Sequence, residues 1–503
     1  MADGADSGWG ATPPSSMPSF MPPPPPPPLQ QDTASNYPPP SHHAPPPAKN
    51  NQRPWIIAVV LLVVIAVLVA AFIWWRSASS SYPASTPPGN AQPGQTISQT
   101  DTTPPPEGFA PGARTYGGSA DDIFSAVALN SDGSIIVAGY TGSSDGDFPI
   151  RHDVGDAVVA KLSPQGDLVW ATTVGGSDSD SFDGVAINPD GTIIAAGYTA
   201  STDGDFPIAI GHGDDALLAK FSADGDLIWA KTFGGDGHDQ FHTVAISPDG
   251  TIVAAGYTAS TNGDFPATEG DRSVLLATFS PDGALEWAKI SGTNGRDEFD
   301  ALAINPDGTI IAAGVTSSTN GDFPVQVSNG DIGNSVIAKY SPTGKLLWES
   351  TASDGIWIAY WALTITSDGS IIATGVASNG PLIAKYSQSG DTLWVKQPGT
   401  LSSGGLYGTA LTVNDNIIAV GSMFQPQTSI TTALVTQISS DGEVVWAKTM
   451  GGNGYSDFRA VKVDADGNII VAGSTEAKDG DFPVTHDQSD AVLARLTGDG
   501  SLG

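Results

Sequence analysis

The chain of 503 residues contains no cysteine and no Asn-x-Ser/Thr sequence. The first absence excludes disulfide bonds, thiolate metal ligands and a cysteine nucleophile. Together the two absences disfavour a eukaryotic secreted domain and fit a bacterial protein on either side of its membrane. Basic residues are scarce, because 20 Lys and Arg stand against 53 Asp and Glu. This acidic excess repels phosphate backbones, so we expect no nucleic-acid partner.

Recognisable catalytic motifs are also lacking. The sequence has no phosphate-binding loop and no Gly-x-Ser-x-Gly nucleophile elbow, so we expect no nucleotide cofactor. Neither haem nor catalysis is indicated. Five histidines of the C-terminal region stand without the spacing of a metal site: His152, His212, His238, His242 and His486.

Residues 1–53 form a proline-rich segment that includes an unbroken run at Pro22–Pro28. Such a composition cannot bury enough apolar surface to offset the entropy of ordering. We predict a disordered tail with polyproline II character. The tail is either a solvated spacer or a ligand for a proline-reading domain.

Residues 54–76 read as one transmembrane helix. The 21 residues from Trp55 to Trp75 carry no charge, and tryptophans flank the stretch. At ~1.5 Å rise per residue this length spans a hydrocarbon core of about 30 Å. Two basic residues precede the stretch and one follows it closely, which favours a cytoplasmic N-terminus and an extracytoplasmic C-terminal region.

Residues 77–111, rich in Ser, Thr and Pro, predict a flexible stalk. Residues 112–503 form the folded region. Five of the 53 acidic and three of the 20 basic residues precede it, so it carries 48 acidic and 17 basic residues, a net charge of −31.

The folded region is a sevenfold repeat. Its units, aligned on a Trp-Ala-Lys-Thr-x-Gly-Gly junction, follow one another at spacings of 46 to 61 residues. Each unit contains four short alternating stretches, and turn signals, most of them Asp-Gly, separate the first from the second and the third from the fourth. No stretch shows a capped helical period. The pattern predicts an all-β fold, a seven-bladed β-propeller with four-stranded blades.

The unit boundaries predict how the ring closes. The seventh unit ends just before its tryptophan strand, and the GARTYGG sequence from Gly112 aligns with that missing strand. We therefore expect the N-terminal strand to complete the last blade and remove an unpaired sheet edge. The other six units carry a tryptophan there, which we expect to pack blade against blade with its indole N–H bonded to a neighbour: Trp170, Trp229, Trp287, Trp348, Trp394 and Trp446.

The stretches GGSDSDSF from Gly175 and GYTASTDGDFP from Gly197 resemble the bacterial seven-bladed β-propeller repeat (SBBP-type). That resemblance implies a propeller, often on cell-surface proteins, without implying one activity or any functional residue. AKFSADGDLIW from Ala219 is more weakly similar to the tryptophan motif of pyrroloquinoline-quinone propellers. Those enzymes often use a vicinal cysteine pair, which this chain lacks, so we expect no pyrroloquinoline quinone.

The loop STDGDFP recurs with small changes in five units, between the second and third strands. In a meander, these loops and the blade-to-blade links share one face, which we call the long-loop face. Its carboxylates predict a possible Ca²⁺ site, in which Asp203 and Asp205 would ligate with help from Asp239, and Asp145 and Asp147 repeat the pattern. The alternative is turn chemistry, in which each Asp caps its own backbone.

Units 5 and 6 lack the DGDFP loop and carry aromatic residues instead. We predict a ligand-binding notch formed by Trp357, Phe424 and Tyr407, suited to sugars or peptide anchors. Tyr360 is excluded, because it aligns with the phenylalanines expected in the core.

Taken together, the sequence predicts a single-pass bacterial membrane protein with a monomeric propeller displayed outside the cytoplasm. Its expected role is non-catalytic binding of a protein or cell-wall glycan on the long-loop face. One alternative is a glycan hydrolase or lyase, which acid and base side chains lining the channel would favour, whereas a lining of glycine and small apolar groups would favour binding. Another is a transmembrane sensor whose proline-rich tail recruits a cytoplasmic partner.

Overall fold

A computed structural model describes most of the repeat region. The described residues are 112–148, 152, 154–206, 213–265, 271–292, 294–323, 333–352, 358–401, 403–482, 486 and 488–502. The predicted tail (1–53), membrane helix (54–76) and stalk (77–111) lie outside these ranges. Within the ranges, no helix has the length and apolarity needed to cross a membrane.

The described residues form 28 strands in seven antiparallel sheets of four strands each, which are the blades. Blade 1 contains β2 (Asp122–Leu129), β3 (Ile135–Thr141), β4 (Asp156–Leu162) and β5 (Leu168–Val174). Blade 2 contains β6 (Asp180–Ile187), β7 (Ile193–Thr199), β8 (Asp215–Phe221) and β9 (Leu227–Phe233). Blade 3 contains β10 (Asp239–Ile246), β11 (Ile252–Thr258), β12 (Ser273–Phe279) and β13 (Leu285–Ser291). Blade 4 contains β14 (Asp297–Ile304), β15 (Ile310–Thr316), β16 (Asn334–Tyr340) and β17 (Leu346–Ala352).

The remaining blades follow the same plan. Blade 5 contains β18 (Ile358–Ile365), β19 (Ile371–Ala377), β20 (Gly380–Tyr386) and β21 (Thr392–Lys396). Blade 6 contains β22 (Gly404–Leu411), β23 (Ile417–Gln425), β24 (Ile430–Ile438) and β25 (Val444–Met450). Blade 7 contains β26 (Ser456–Val463), β27 (Ile469–Thr475), β28 (Asp490–Leu496) and β1 (Gly112–Tyr116). The predicted seven-bladed propeller is confirmed.

The ring closes as the unit boundaries predicted. Strand β1 pairs antiparallel with β28, with Gly112 opposite Arg495 and Tyr116 opposite Ala491. The Tyr116 hydroxyl donates to the Gly166 carbonyl of blade 1 at 2.6 Å. The first strand of the domain therefore fills the edge of the last blade and ties it to the first.

The core lies between neighbouring blades, because both faces of each sheet are covered. Strands β3 and β4 are buried along almost their whole length, and most of their residues are apolar. The second strand of each blade carries a glycine whose missing side chain admits the inner strand. At Gly139, for example, an added Cβ would lie 1.9 Å from the Ile123 carbonyl oxygen.

The six tryptophans mark contacts between blades, as predicted. Trp170 of blade 1 covers Gly225 in the β8–β9 turn of blade 2, where an added Cβ would lie 2.6 Å from the indole. The equivalent pairs are Trp229–Gly283, Trp287–Gly344, Trp348–Gly390, Trp394–Gly442 and Trp446–Gly500. The expected indole hydrogen bond is present at Trp446, which donates to Gln437 at 2.6 Å. The indole nitrogens of Trp170 and Trp348 have no partner among the described residues.

Consecutive antiparallel strands place alternate connections at opposite ends of each blade. The first-to-second and third-to-fourth turns are tight, with glycine at positive φ, as at Gly191 (φ 85°) and Gly225 (φ 91°). The second-to-third loops and the blade-to-blade links share the other end, so the long-loop face is as predicted.

Candidate functional site

The carboxylates of the repeated DGDFP loop are bonded to backbone N–H groups. Asp203 Oδ1 accepts from Ser177 N at 2.8 Å, and Asp205 Oδ2 accepts from Gly175 N at 3.2 Å. Both donors belong to the blade-to-blade link, so the two aspartates fasten the loop to that link. In blade 1, Asp145 and Asp147 make the equivalent bonds to Ser119 N at 2.8 Å and Gly117 N at 3.0 Å.

Asp239, the third carboxylate proposed for Ca²⁺, is buried at the start of β10. It accepts hydrogen bonds from the Ser260 hydroxyl at 2.6 Å and from Gly235 N at 3.1 Å. Burial raises the pKa of Asp239, and these hydrogen bonds oppose that rise. Within the described ranges, no three His, Asp or Glu side chains form a metal-ligating group. The Asp203 and Asp205 carboxylates thus bond to the neighbouring link, not to the backbone of their own turn as the alternative predicted, and the Ca²⁺ site stays a prediction.

The phenylalanine of the same loop is part of the core. Phe148 is buried and meets Phe124 of the inner strand edge-on, with ring centroids 6.3 Å apart. The pairs Phe241–Phe265, Phe299–Phe323 and Phe458–Phe482 repeat this contact. The recurrence of DGDFP therefore has a structural reason. The aspartates of the loop bond to the blade-to-blade link, and its phenylalanine packs into the core.

Two of the three residues predicted for the aromatic notch, Phe424 and Tyr407, line one cleft, and the notch itself stays a prediction. Phe424 is 41% exposed, and it lines with Tyr407 and Tyr455 a cleft of about 730 Å³ beside blades 5 and 6. The Tyr407 hydroxyl lies 2.8 Å from the Ser422 hydroxyl, which holds the ring in place. Trp357 lies outside the described residues. Tyr360 is buried, as predicted, and its hydroxyl lies 2.7 Å from that of Tyr386.

The central channel has a feature that the sequence analysis did not anticipate. Each of the seven innermost strands carries a β-bulge directly after its buried Phe, Tyr or Leu. A bulge leaves one residue unpaired and re-aims its side chain. The seven bulged residues, one from each blade in order, are Ser125, Asp183, His242, Asp300, Trp361, Tyr407 and Arg459.

All seven bulged residues line one space of about 490 Å³ at the end of the channel, together with Tyr455 and Asp457. We call this space the channel mouth and its seven bulged residues the bulge ring. The inner strands start at the long-loop end, and the bulges lie near those starts. The channel mouth therefore opens on the long-loop face.

A His–Asp pair joins blades 3 and 4 in the bulge ring. His242 Nδ1 lies 2.9 Å from Asp300 Oδ1, and both side chains are mostly buried. Burial lowers the pKa of His242, but the hydrogen bond and the charges of Asp300, Asp183 and Glu298 raise it to about 9. The imidazole is therefore positively charged at neutral pH. Asp300 Oδ2 is buried and accepts no hydrogen bond from any described residue, and such unsatisfied buried polar groups are rare in native structures.

Asp183 and Arg459 complete the charged part of the ring. Asp183 accepts a hydrogen bond from the Ser181 hydroxyl at 3.2 Å, and burial raises the pKa of its carboxyl. Arg459 Nε donates to Asp457 Oδ2 at 3.0 Å. That carboxylate is held by the Ser474 hydroxyl, 2.7 Å from its other oxygen. The Arg459 guanidinium is thus oriented by a buried partner while 37% of its side chain remains exposed.

Two aromatic rings occupy the next part of the bulge ring. Trp361 and Tyr407 come from adjacent blades, with centroids 5.0 Å apart and planes inclined by 54°. Tyr407 lines both the channel mouth and the cleft beside Phe424, so the two spaces are neighbours. Of the predicted notch residues, Tyr407 is the one that the structure brings into the bulge ring.

Beyond the bulge ring, most residues that line the channel have apolar side chains. Its wall consists of short aliphatic residues of the inner strands, such as Ala126, Val185 and Leu363, and it includes one lysine, Lys462. Burial lowers the pKa of Lys462. The channel therefore combines the two linings that the sequence analysis set against each other, with acid and base groups at the mouth and apolar groups below.

Sequence reasoning identified one of the seven bulge-ring residues. The signal for the others was in the repeat itself. The position after the buried aromatic holds a different type in almost every unit, as in Phe182-Asp183 and Phe241-His242, while its neighbours repeat. A variable position within a repeated strand indicates a side chain that does not serve the shared packing.

Comparison with known proteins shows distant similarity only. No family model matches the chain. An uncharacterized WD repeat-containing protein of Acanthamoeba polyphaga mimivirus is 22% identical over 444 residues, covering 70% of this chain and 29% of that protein. The regulatory protein FlaEY of Caulobacter vibrioides is 22% identical over 285 residues, covering 54% of this chain and 29% of that protein. The chain thus spans about three tenths of the length of the curated relatives it matches.

Solved structures resemble the chain at similarly low identity. Sqt1 from Chaetomium thermophilum is 13% identical with a TM-score of 0.42, covering 78% of this chain and 99% of that one. A protein from Lactobacillus plantarum is 14% identical with a TM-score of 0.41, covering 71% and 99%. Similarities at this level carry no information about function.

Proposed function

We propose that this chain is a membrane-anchored binding protein whose ligand enters the channel mouth on the long-loop face of the propeller. One observation carries the proposal: seven bulges direct seven side chains of differing chemistry to the same opening. Packing between blades does not require them, because the repeated residues on either side fill the interfaces. Convergent polar and aromatic groups in a concave site are typical of ligand recognition.

The size and chemistry of the site suit part of a larger ligand. The mouth of about 490 Å³ and the adjoining cleft of about 730 Å³ offer aromatic faces from Trp361, Tyr407 and Phe424. Such faces bind sugar rings or apolar peptide side chains, and the charged groups fix orientation. A protein or a cell-wall glycan is therefore the ligand we propose, bound by a monomeric propeller.

Membrane anchoring is proposed from the sequence. The uncharged stretch Trp55–Trp75 has the length of a membrane-spanning helix, and the basic residues before it favour a cytoplasmic N-terminus. The propeller would then be displayed outside the cytoplasm on the 77–111 stalk. Membrane fractionation and protease treatment of intact cells test this, since the propeller should be membrane-associated and cleavable from outside.

The binding role is tested with a double variant at the mouth. Trp361→Ala with Tyr407→Ala should abolish binding of the full-length protein to its envelope ligand, measured with purified cell-wall glycan and with envelope protein fractions. Val413→Ala is the matched control, because Val413 is 85% exposed in a tight turn on the opposite face. Undiminished binding by a double variant that melts like wild type would refute the proposal.

An enzymatic role has one specific observation in its favour. The His242–Asp300 pair and the nearby Asp183 carboxyl place acid and base groups in one opening. General acid–base catalysis on a glycan requires such groups within reach of one substrate. If the protein is a hydrolase or lyase, wild type should cleave cell-envelope glycans and Asp300→Asn should not. If the wild type binds these glycans without cleaving them, the enzymatic role is wrong and the proposed binding role is retained.

A further inference from the structure

The bulge ring is divided into a charged and an aromatic part. Neighbouring inner strands contact one another in cyclic order, and β2 contacts β26 to complete the circle. Asp183 comes from blade 2, while Trp361 and Tyr407 come from blades 5 and 6. Blades 5 and 6 are each three blades away from blade 2, in opposite directions around the ring. Asp183 therefore stands across the channel mouth from the two aromatic residues.

The charges at the mouth do not balance. His242 is paired with Asp300 at 2.9 Å, and Arg459 is paired with Asp457 at 3.0 Å. Among the described residues, Asp183 has no Lys, Arg or His within ion-pair distance. The mouth therefore holds one carboxyl group in excess.

From this arrangement we propose that the channel mouth binds an organic cation, the ammonium or guanidinium group of a lysine or arginine side chain of a peptide. The cation lies between the Asp183 carboxylate and the rings of Trp361 and Tyr407. This inference rests on the proposed binding function and specifies its ligand. Aromatic faces attract cations, and the attraction strengthens when water is excluded.

The charge of the whole chain supports a cationic ligand. The net charge of −33 creates a negative potential that attracts cations, and a cleft with low-dielectric walls focuses it. The groups facing Asp183 in the mouth are Ser125, His242, Asp300, Arg459 and Asp457. The charges of His242 and Arg459 also act on Asp183, but each of these cations is paired with another carboxylate, so three carboxylates stand against two cations.

Titration of Asp183 adds a dependence on pH. Burial raises the pKa of its carboxyl above the ordinary value of 3.8, so acid protonates it more readily than an exposed Asp. The ionised form attracts the cation, and the affinity should therefore increase as the pH rises through the pKa of Asp183.

The test uses titration calorimetry with the full-length protein and three defined probes. The probes are a short peptide containing one lysine, the same peptide acetylated on the lysine amine, and a chitin tetrasaccharide as a neutral glycan. We expect the lysine peptide to bind roughly tenfold or more tightly than the acetylated one. Asp183→Asn should remove that preference, while Asp282→Asn, an equal charge change at an outer turn, should retain it.

The outcomes separate this inference from the proposed function. If the lysine and acetylated peptides bind equally, or if Asp183→Asn retains the preference, the cationic ligand is wrong. Binding of the tetrasaccharide that depends on Trp361 would then still support the mouth as a binding site. If Asp183→Asn fails to fold, Trp361→Leu replaces it and should weaken lysine-peptide binding by roughly tenfold.

Discussion

His242 of blade 3 and Asp300 of the adjacent blade 4 meet at the rim of the channel mouth, with 2.9 Å between Nδ1 and Oδ1. Both residues are extruded by bulges, so the contact exists only because two neighbouring strands break their register at the same level. A pair of this kind links the stability of a blade interface to the chemistry of the opening.

The pair predicts an unusual histidine titration. His242 should titrate with a pKa of about 9, and Asp300→Asn should bring that pKa down towards the ordinary 6.5. Because the folded-state pKa is raised, the stabilisation is complete below about 6.5 and is lost as the pH rises through about 9. NMR titration of histidine-labelled protein measures the value. A pKa near 6.5 in the wild type would show that the pair does not form.

Replacing a glycine that packs against one of the six tryptophans should cost more stability than replacing a turn glycine that has no such contact. Gly225 and Gly191 both have positive φ, at 91° and 85°, so alanine at either costs about 1 kcal/mol in backbone strain. At Gly225 the new Cβ would also lie 2.6 Å from Trp170, whereas at Gly191 the nearest atom is 3.6 Å away. We expect Gly225→Ala to cost a further ~1–3 kcal/mol. Equal free energies of unfolding for the two variants would contradict the packing role of the tryptophans.

Removing a carboxylate of the DGDFP loop should destabilise the propeller whether or not metal is present. Asp203→Ala removes the acceptor for Ser177 N, and we expect a loss of about 1 kcal/mol in the free energy of unfolding, with chelator or without. If calcium binds this loop, added Ca²⁺ must instead raise the melting temperature of the wild type. A rise that disappears in Asp203→Ala would establish a calcium site in addition to the hydrogen bond to Ser177 N.

Two classes of aspartate predict a stability maximum at acidic pH. Burial raises the pKa of Asp122 and Asp180 to about 6, so their contribution to stability is lost as the pH rises from about 4 through about 6. Exposed turn aspartates behave oppositely. Hydrogen bonds from Thr366 and Ser370 lower the pKa of Asp368 to about 2, and its contribution is lost as the pH falls through about 2. Melting temperatures should therefore be highest near pH 4–5.

A variant isolates the buried class. Asp180→Asn cannot ionise, so the decrease in melting temperature between pH 5 and pH 7 should become smaller than in the wild type. Asp190→Asn, at an exposed turn, is the control and should leave that decrease unchanged. A wild-type melting temperature that rises steadily from pH 4 to pH 7 would contradict the raised pKa values.

Much of the fold could be predicted from the sequence because each unit repeats the same turn and strand signals. Asp-Gly turns, a glycine in each second strand and a tryptophan in six of the seven outer strands specify strand number and order without long-range information. Closure could be predicted because Gly112 to Tyr116 aligned with a strand that the last unit lacked. These features are local, so they can be recognised in one sequence without knowledge of which distant residues are in contact.

The bulge ring could not be predicted in the same way. Side chains of a strand alternate between the two faces of the sheet, and a bulge shifts this alternation by one residue. In the mainly apolar inner strands, the shift leaves no visible change in the pattern of polar and apolar residues. From the sequence alone, Asp183 and Arg459 resemble ordinary solvent-facing residues of a strand. Their place in the channel mouth becomes evident only when the seven inner strands are arranged around one axis. Tyr407 could be predicted because it is aromatic and lies in a unit without the DGDFP loop, whereas the position of Trp361 in the channel mouth depends on the bulge after Tyr360.

The most direct test of the central claim places a photoreactive amino acid in the full-length protein in living cells. Substituted at Tyr407 in the channel mouth, it should form a covalent adduct with the ligand on illumination. The same substitution at Val413, on the opposite face, should form none. Adducts at Val413 or at exposed Leu393 of an outer strand, with none at Tyr407, would show that the ligand binds elsewhere.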